Sequence, residues 1–207
     1  MDLFPEKLNP AREADLAFWR GVVAHYGANY LAWRRSDYEW YASHFGDLYD
    51  VRGLDGLDLG CGAVRAASWL IGIDRRPGVW QDASGGRHES FPLVVGDALA
   101  LPPQFRPGAI DLIVSNHLLE HFTEPTSALA YWASLLRPGG RLAIVVPDYR
   151  HTFSCTQPDQ LADPDGHRRD FTLPELVRAF LAVPELELID ARLVCERWSV
   201  GAAAERR

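Results

Sequence analysis

The feature that most constrains this chain is a short apolar run that closes on an acid and breaks at once into glycines. Leu54-Asp55-Gly56-Leu57-Asp58-Leu59 reads as a strand, and Gly60-Cys61-Gly62 as the turn that ends it. The pattern then repeats. Leu70-Ile71-Gly72-Ile73-Asp74 is a second strand closing on an acid, and a third, at residues 91–95, runs into Gly96-Asp97-Ala98. Further strands are predicted at residues 109–115 and 141–146, with a helix over about residues 125–136 between them, closed by Arg137-Pro138-Gly139-Gly140. Strand, crossover and strand repeated in this way build an α/β fold, a mostly parallel sheet flanked by helices. Residues 63–69 leave room for only a short helix or turn, and residues 75–90, with Gly78, Gly85 and Gly86, read as a loop.

The ends of the chain read differently. Residues 9–45 are helical in pattern and rich in aromatics, with Asn9-Pro10 as cap and first turn, a break at Gly27, and an end near Gly46. Two readings stand for the rings: Tyr30, Trp33 and Tyr38 as a lid, or Phe18, Trp19, Tyr26 and Trp33 as core at helical spacing, which is preferred. Near the other end, Thr172-Leu173-Pro174-Glu175 is a capping box opening a helix through Leu181, and residues 186–194 form a strand. The stretch after Val194 is brief and Ala-rich, so a last antiparallel strand is expected to be short or missing.

Composition narrows the function. The 207 residues carry a formal net charge of −7 without a long Lys/Arg cluster, whereas tight binding to nucleic acid needs a basic face; no nucleic-acid partner is expected. No run approaches the ~20 apolar residues of a membrane span, and Met1 is followed by charged and polar residues rather than a signal core, so no membrane partner and a cytoplasmic setting are expected. Cys61, Cys155 and Cys195 are far apart and form no CxxC pair, which argues against a disulfide framework or a cysteine zinc site. The sequence does not reveal the oligomeric state.

Ligands of open parallel sheets gather at the carboxyl ends of strands, where this chain places its acids. Glycines at the first turn let a backbone approach a ligand closely. Asp74 suits two ribose hydroxyls, and Asp97 an adenine amino group. A nicotinamide dinucleotide fits less well, because its fingerprint wants a third glycine where Arg65 stands and an acid further on than Asp74.

Taken in order, Leu57-Asp58-Leu59-Gly60-Cys61-Gly62, Gly72-Ile73-Asp74, Gly96-Asp97-Ala98, the run Asp111-Leu112-Ile113-Val114-Ser115-Asn116-His117-Leu118-Leu119-Glu120-His121 and Leu136-Arg137-Pro138-Gly139-Gly140-Arg141-Leu142 resemble the class I methyltransferases dependent on S-adenosylmethionine (SAM). The resemblance covers roughly residues 54–148. It implies a Rossmann-like domain over residues 51–207, with residues 1–50 as a helical extension packed on or capping the cofactor site. It also implies SAM as cofactor, held by Asp58, Gly60, Cys61, Gly62, Asp74, Arg75, Asp97, Ala98, Asn116 and His117. In that reading Asp58, Gly60 and Gly62 line the methionine and ribose end, Asp74 holds the ribose, Asp97 and Ala98 meet adenine, and Asn116 and His117 lie under the sulfonium. The chain departs from the family at Ala63-Val64, where a third glycine is often found, and in the short span from Gly62 to Asp74.

The expected reaction is methyl transfer to an oxygen or nitrogen of a small-molecule acceptor. An alternative is a SAM-fold binding or regulatory module without turnover. A hydroxyl acceptor needs a base, and His117, His121 and His167 are the candidates, with His151 in the same loop region. Tyr149 shapes the acceptor pocket or merely packs. His117-Leu118-Leu119-Glu120-His121 also matches an HxxEH zinc spacing, but it follows a buried strand where methyltransferases carry a similar run, so no metal is expected.

Overall fold

A computed structural model describes residues 32, 35–46, 54–62, 64–67, 69–75, 81–82, 93–152, 154–195 and 198–207. The chain divides into two units, Met1–Pro102 and Pro103–Arg207.

In the first unit, β1 (Gly56–Leu59), β3 (Ile71–Asp74) and β5 (Leu93–Val95) lie in the order β5-β3-β1 and all run parallel. Leu57 faces Ile71, Leu59 faces Ile73, and Asp74 faces Val95, so Asp74 lies just past the end of β1, two positions beyond the level of Asp58. All four residues of β1 are buried, as a strand covered on both faces requires. One expectation fails between β1 and β3. Instead of a short helix or turn, the chain forms the extended β2 (Val64–Arg65), paired parallel with β4 (Gln81–Asp82), which lies inside the span read as loop. The cause is local: Val64 is β-branched and favours extended backbone, and the buried Asp58 carboxylate accepts the Ala66 amide at 2.8 Å, drawing the chain back over the end of β1.

Residues 35–45 form a helix, α1, which stops at Gly46 with φ +73°, the left-handed ending that glycine favours. Tyr38, Trp40 and Tyr41 are buried, with Tyr38 and Trp40 ring centroids 5.7 and 5.6 Å from that of Tyr41. Tyr38, which the lid reading singled out, therefore packs inside. The helix starting at Asn9, and Phe18, Trp19, Tyr26, Tyr30 and Trp33, lie outside the described residues.

The second unit carries β6 (Ile110–Asn116), α2 (Pro125–Leu135), β7 (Leu136–Pro147), α3 (Pro158–Ala162), α4 (Leu173–Leu181), β8 (Leu186–Val194) and β9 (Ser199–Arg206), with strand order β6-β7-β9-β8. β6 and β7 are parallel, and β9 runs antiparallel to both neighbours. The register jumps between Ile110 and Leu112, which face Leu136 and Arg141, so Arg137 to Gly140, expected as a turn ahead of the strand, are instead an irregular stretch inside β7. α2 and α4 pack on each other; α2 also lies on β7, and α4 on β8 and β9. Trp132, Leu129, Leu176 and Phe180 fill that layer, each contributing roughly 1.5–3 kcal/mol or more by leaving water. Pro125 starts α2 at a position where its missing donor costs nothing. At α4 the predicted capping box is present, with Glu175 accepting both the amide and the hydroxyl of Thr172 at 2.7 and 2.6 Å.

The last strand corrects the sequence reading. β9 is neither short nor missing: it has eight residues and sits between β7 and β8. Val200 through Ala204 are buried, so the stretch that looked like an Ala-rich tail is an interior strand with small side chains under α4.

Candidate functional site

Within the first unit, β1 delivers the chain into a turn that only glycine enters without strain. Gly60 and Gly62 have φ of +67° and +53°. The Gly60 and Cys61 amides both donate to the Ile73 carbonyl, at 2.8 and 3.3 Å, which fastens the turn to the end of β3. The Gly62 amide donates to Oδ2 of Asp74 at 2.9 Å. The acid closing the second strand is thereby tied to the glycine turn closing the first. From the other side, the Gly96 amide donates to the Asp74 carbonyl at 3.0 Å, linking β3 to the start of the next turn.

Asp97 Oδ1 accepts the Leu99 amide at 2.9 Å, while Oδ2 pairs with the Arg75 guanidinium. Partial burial works against its charge, but the Leu99 amide and Arg75 outweigh that and hold the carboxyl below its usual range. Ala98 is buried directly behind it. Of the residues expected to hold a cofactor, the fold thus brings Gly60, Cys61, Gly62 and Asp74 together at one strand-end cluster, and Arg75 with Asp97 at a second. Asp58 is buried and its carboxylate supports the turn through Ala66. Carboxylates at strand ends beside an open glycine backbone are the donor and acceptor set that a nucleoside with vicinal hydroxyls needs, so these residues fit an adenosyl ligand.

In the second unit, β6 ends at the buried Asn116, and His117 follows with φ +53°, a left-handed conformation that costs a non-glycine residue of order 1–2 kcal/mol. Two bonds fix it there: its amide donates to the Val145 carbonyl at 2.8 Å, and Nε2 lies 3.1 Å from Ser199 Oγ at the start of β9. A single 3-10 turn, Leu119–His121, comes next. The HxxEH spacing therefore does not lie on a helix, and His117 turns to Ser199, not to His121. His121 instead meets His167, with ring centroids 5.1 Å apart and planes nearly perpendicular. Between them stands Glu120, 1% exposed, whose Oε1 lies 3.7 Å from His121 Nε2 and 3.9 Å from His167 Nε2. Sequence reasoning named both histidines but not Glu120 as their common neighbour. It also missed Ser199, which is 82 positions from His117 and carries no local signal. His151 and Tyr149 are exposed in the loop after β7.

The comparisons with known proteins agree with this geometry. The family model described as a methyltransferase domain matches residues 57–144, a span holding every acid and glycine of the strand-end clusters together with Asn116, His117, Glu120 and His121. Residues 57–144 are thus similar to a methyltransferase domain, in line with the resemblance that the strand-end motifs carry. An uncharacterized 37.1 kDa protein in transposon TN4556 of Streptomyces fradiae is 37% identical over 123 residues, covering 53% of this chain and 35% of its own length. The chain thus spans about a third of that relative. A ubiquinone biosynthesis O-methyltransferase from Xanthomonas euvesicatoria pv. vesicatoria is 26% identical over 178 residues, 76% of this chain and 73% of that protein. Among solved structures, the 1,6-didemethyltoxoflavin-N1-methyltransferase of Burkholderia thailandensis, with 1,6-didemethyltoxoflavin and S-adenosylhomocysteine bound, superposes with a TM-score of 0.58 at 18% identity. That match covers 98% of this chain and 93% of the other. No helix among the described residues is long and apolar enough to cross a membrane.

Proposed function

We propose that this chain transfers a methyl group from SAM to an oxygen or nitrogen of a small molecule. The observation that carries the reading is the bond from the Gly62 amide to the Asp74 carboxylate, which fixes a ribose-binding acid against a left-handed glycine turn. SAM supplies a methyl already activated by the sulfonium charge, so the residues' work is to bind, orient and exclude water. Asp74 accepts the ribose hydroxyls, and Asp58 keeps the turn in shape from below. Gly60, Cys61 and Gly62 line the methionine and ribose end, Arg75, Asp97 and Ala98 the adenine end, and Asn116 and His117 the reacting end. His117, His121 and His167 are the candidates to accept a proton from the acceptor.

A small acceptor is supported by the relatives, whose names include a quinone-pathway O-methyltransferase and an N-methyltransferase of a small heterocycle. We place residues 1–50 as an extension packed on or capping the SAM site, an arrangement consistent with the buried rings of α1. A cytoplasmic setting is proposed from the sparse, widely spaced Cys61, Cys155 and Cys195, which form no CxxC pair. Binding without turnover is the second reading, motivated by β2, which stands where a helix would present its amides to the cofactor.

Calorimetry with SAM and with S-adenosylhomocysteine, followed by a methyl-transfer screen over phenolic, quinol and heterocyclic acceptors, separates the readings. Binding with turnover supports the enzyme, binding without turnover on any acceptor supports the module, and folded protein that binds neither ligand overturns both.

A further inference from the structure

From the second unit's cluster of Glu120, His121 and His167, we propose a site for a divalent transition-metal ion of the zinc class. The three ligand atoms, one carboxylate oxygen and two imidazole nitrogens, all lie within 4.8 Å of one another. Both Nε2 atoms approach the same oxygen, Glu120 Oε1, at 3.7 and 3.9 Å. Those separations are too long for hydrogen bonds. They are close to the spacing of ligands that share an ion: two donors at about 2.1 Å from a tetrahedral centre stand about 3.4 Å apart. The two separations from Glu120 need to contract by only a few tenths of an ångström, and the two imidazole nitrogens, within 4.8 Å of each other, close the set by rotation of the side chains.

The scaffold holds these side chains in place. The Glu120 carbonyl accepts the amides of Arg168 and Arg169, at 2.8 and 3.0 Å, which pins the loop carrying His167 against the 3-10 turn carrying Glu120 and His121. The His167 amide donates to Gln160 Oε1 at 2.9 Å. The Arg168 guanidinium is used locally, on the carbonyls of Gln160, Asp163 and Pro164. Glu120 is 1% exposed, so an ion held on its carboxylate would be shielded from water on that side.

The donor set also selects the ion. One oxygen and two imidazole nitrogens suit zinc and its first-row neighbours, whereas magnesium prefers oxygen ligands throughout. Three protein ligands leave a position open for water, as catalytic rather than structural zinc sites do. Resting on the methyl-transfer reading, that position would take an acceptor oxygen and ease loss of its proton. This is not the site that the HxxEH spacing suggests, since His117 is replaced by His167 from a distant loop.

The test uses the whole chain, stripped with chelator and titrated with Co2+ by visible absorption and with Zn2+ by calorimetry. The expected result is one equivalent of Co2+ giving the intense bands of a low-coordinate site, displaced by Zn2+ and not by Mg2+. Glu120→Gln and His167→Ala should each weaken Zn2+ binding at least about tenfold, with His44→Gln, in α1, unchanged. Circular dichroism reports folding, and His167→Ala, at a half-buried loop position, serves if Glu120→Gln does not fold. Absence of Co2+ bands in the wild type, or zinc affinity retained in His167→Ala, overturns the site and leaves the two histidines as a metal-free pair. Calorimetry with SAM on the same stripped protein keeps the two ideas apart: SAM binding without zinc binding defeats only the metal, and zinc binding without SAM binding defeats only the methyltransferase reading.

Discussion

Asp74 is tied to the glycine turn by its own carboxylate and is the residue proposed to hold the ribose. One carboxylate oxygen already takes the Gly62 amide, so a substitution there releases the turn and, on the proposed reading, also removes an acceptor for ribose. Asp74→Ala should weaken SAM binding by roughly 1–3 kcal/mol, read by calorimetry; unchanged affinity would mean that another residue holds the ribose. Asp74 was legible in the sequence because an acid directly after an apolar run marks a strand end. The partner of His117 was not, because nothing near residue 117 points to Ser199. The same holds for the meeting of Glu120 with His167, which depends on two backbone bonds made by a loop almost fifty positions downstream.

Among the elements, α2 and the loop before α4 each hold a buried residue with no room for change, Trp132 and Gly166. Trp132 is fully buried on α2 and meets the Phe122 ring edge-on, with centroids 5.9 Å apart. Trp132→Ala should cost about 3–5 kcal/mol, seen as a lowered midpoint in chemical denaturation. Gly166 is buried, and a Cβ there would run into the carbonyl of Gln160 and stand 3.1 Å from that of Asp163. Backbone cannot yield as a side chain can, so Gly166→Ala should destabilise by roughly 1–3 kcal/mol and displace the neighbouring His167. A thermal melt matching wild type would show that the loop has room to move. α2 and α4 were readable from proline and capping signals at their starts. β9 was not: five consecutive buried residues give no alternation, and alanine has little strand preference of its own. Its place comes from pairing with β7 and β8.

Across the whole molecule, stability at low pH rests partly on carboxylates that are charged in the folded state. Asp148, buried at the end of β7, accepts the Arg150 amide at 3.1 Å and Nε at 2.9 Å. Burial raises its pKa, but the guanidinium and amide of Arg150 more than compensate and hold it below the usual carboxylate value. A depressed folded pKa contributes stability above the unfolded value of about 3.9, and that contribution fades as pH falls through the lower folded value. Asp148→Asn should therefore lose about 1 kcal/mol at neutral pH, modest because Arg150 is half exposed. Its stability should also fall less steeply than wild type on acidification below about pH 4. Denaturation midpoints at several pH values check both; parallel curves for the two proteins would remove Asp148 from the acid response.

The amino-acid order alone determined β1, β3, β6, α2, α4 and β8, the acids at the strand ends and the glycine turn beside them. All of these are written in contiguous residues through apolar periodicity, β-branching and breakers. Tertiary structure alone decided that an alanine stretch becomes an interior strand, that β2 replaces a short helix or turn, and which histidines stand beside Glu120. Those outcomes depend on hydrogen bonds and burial between segments far apart in the chain, whose energies no local window contains.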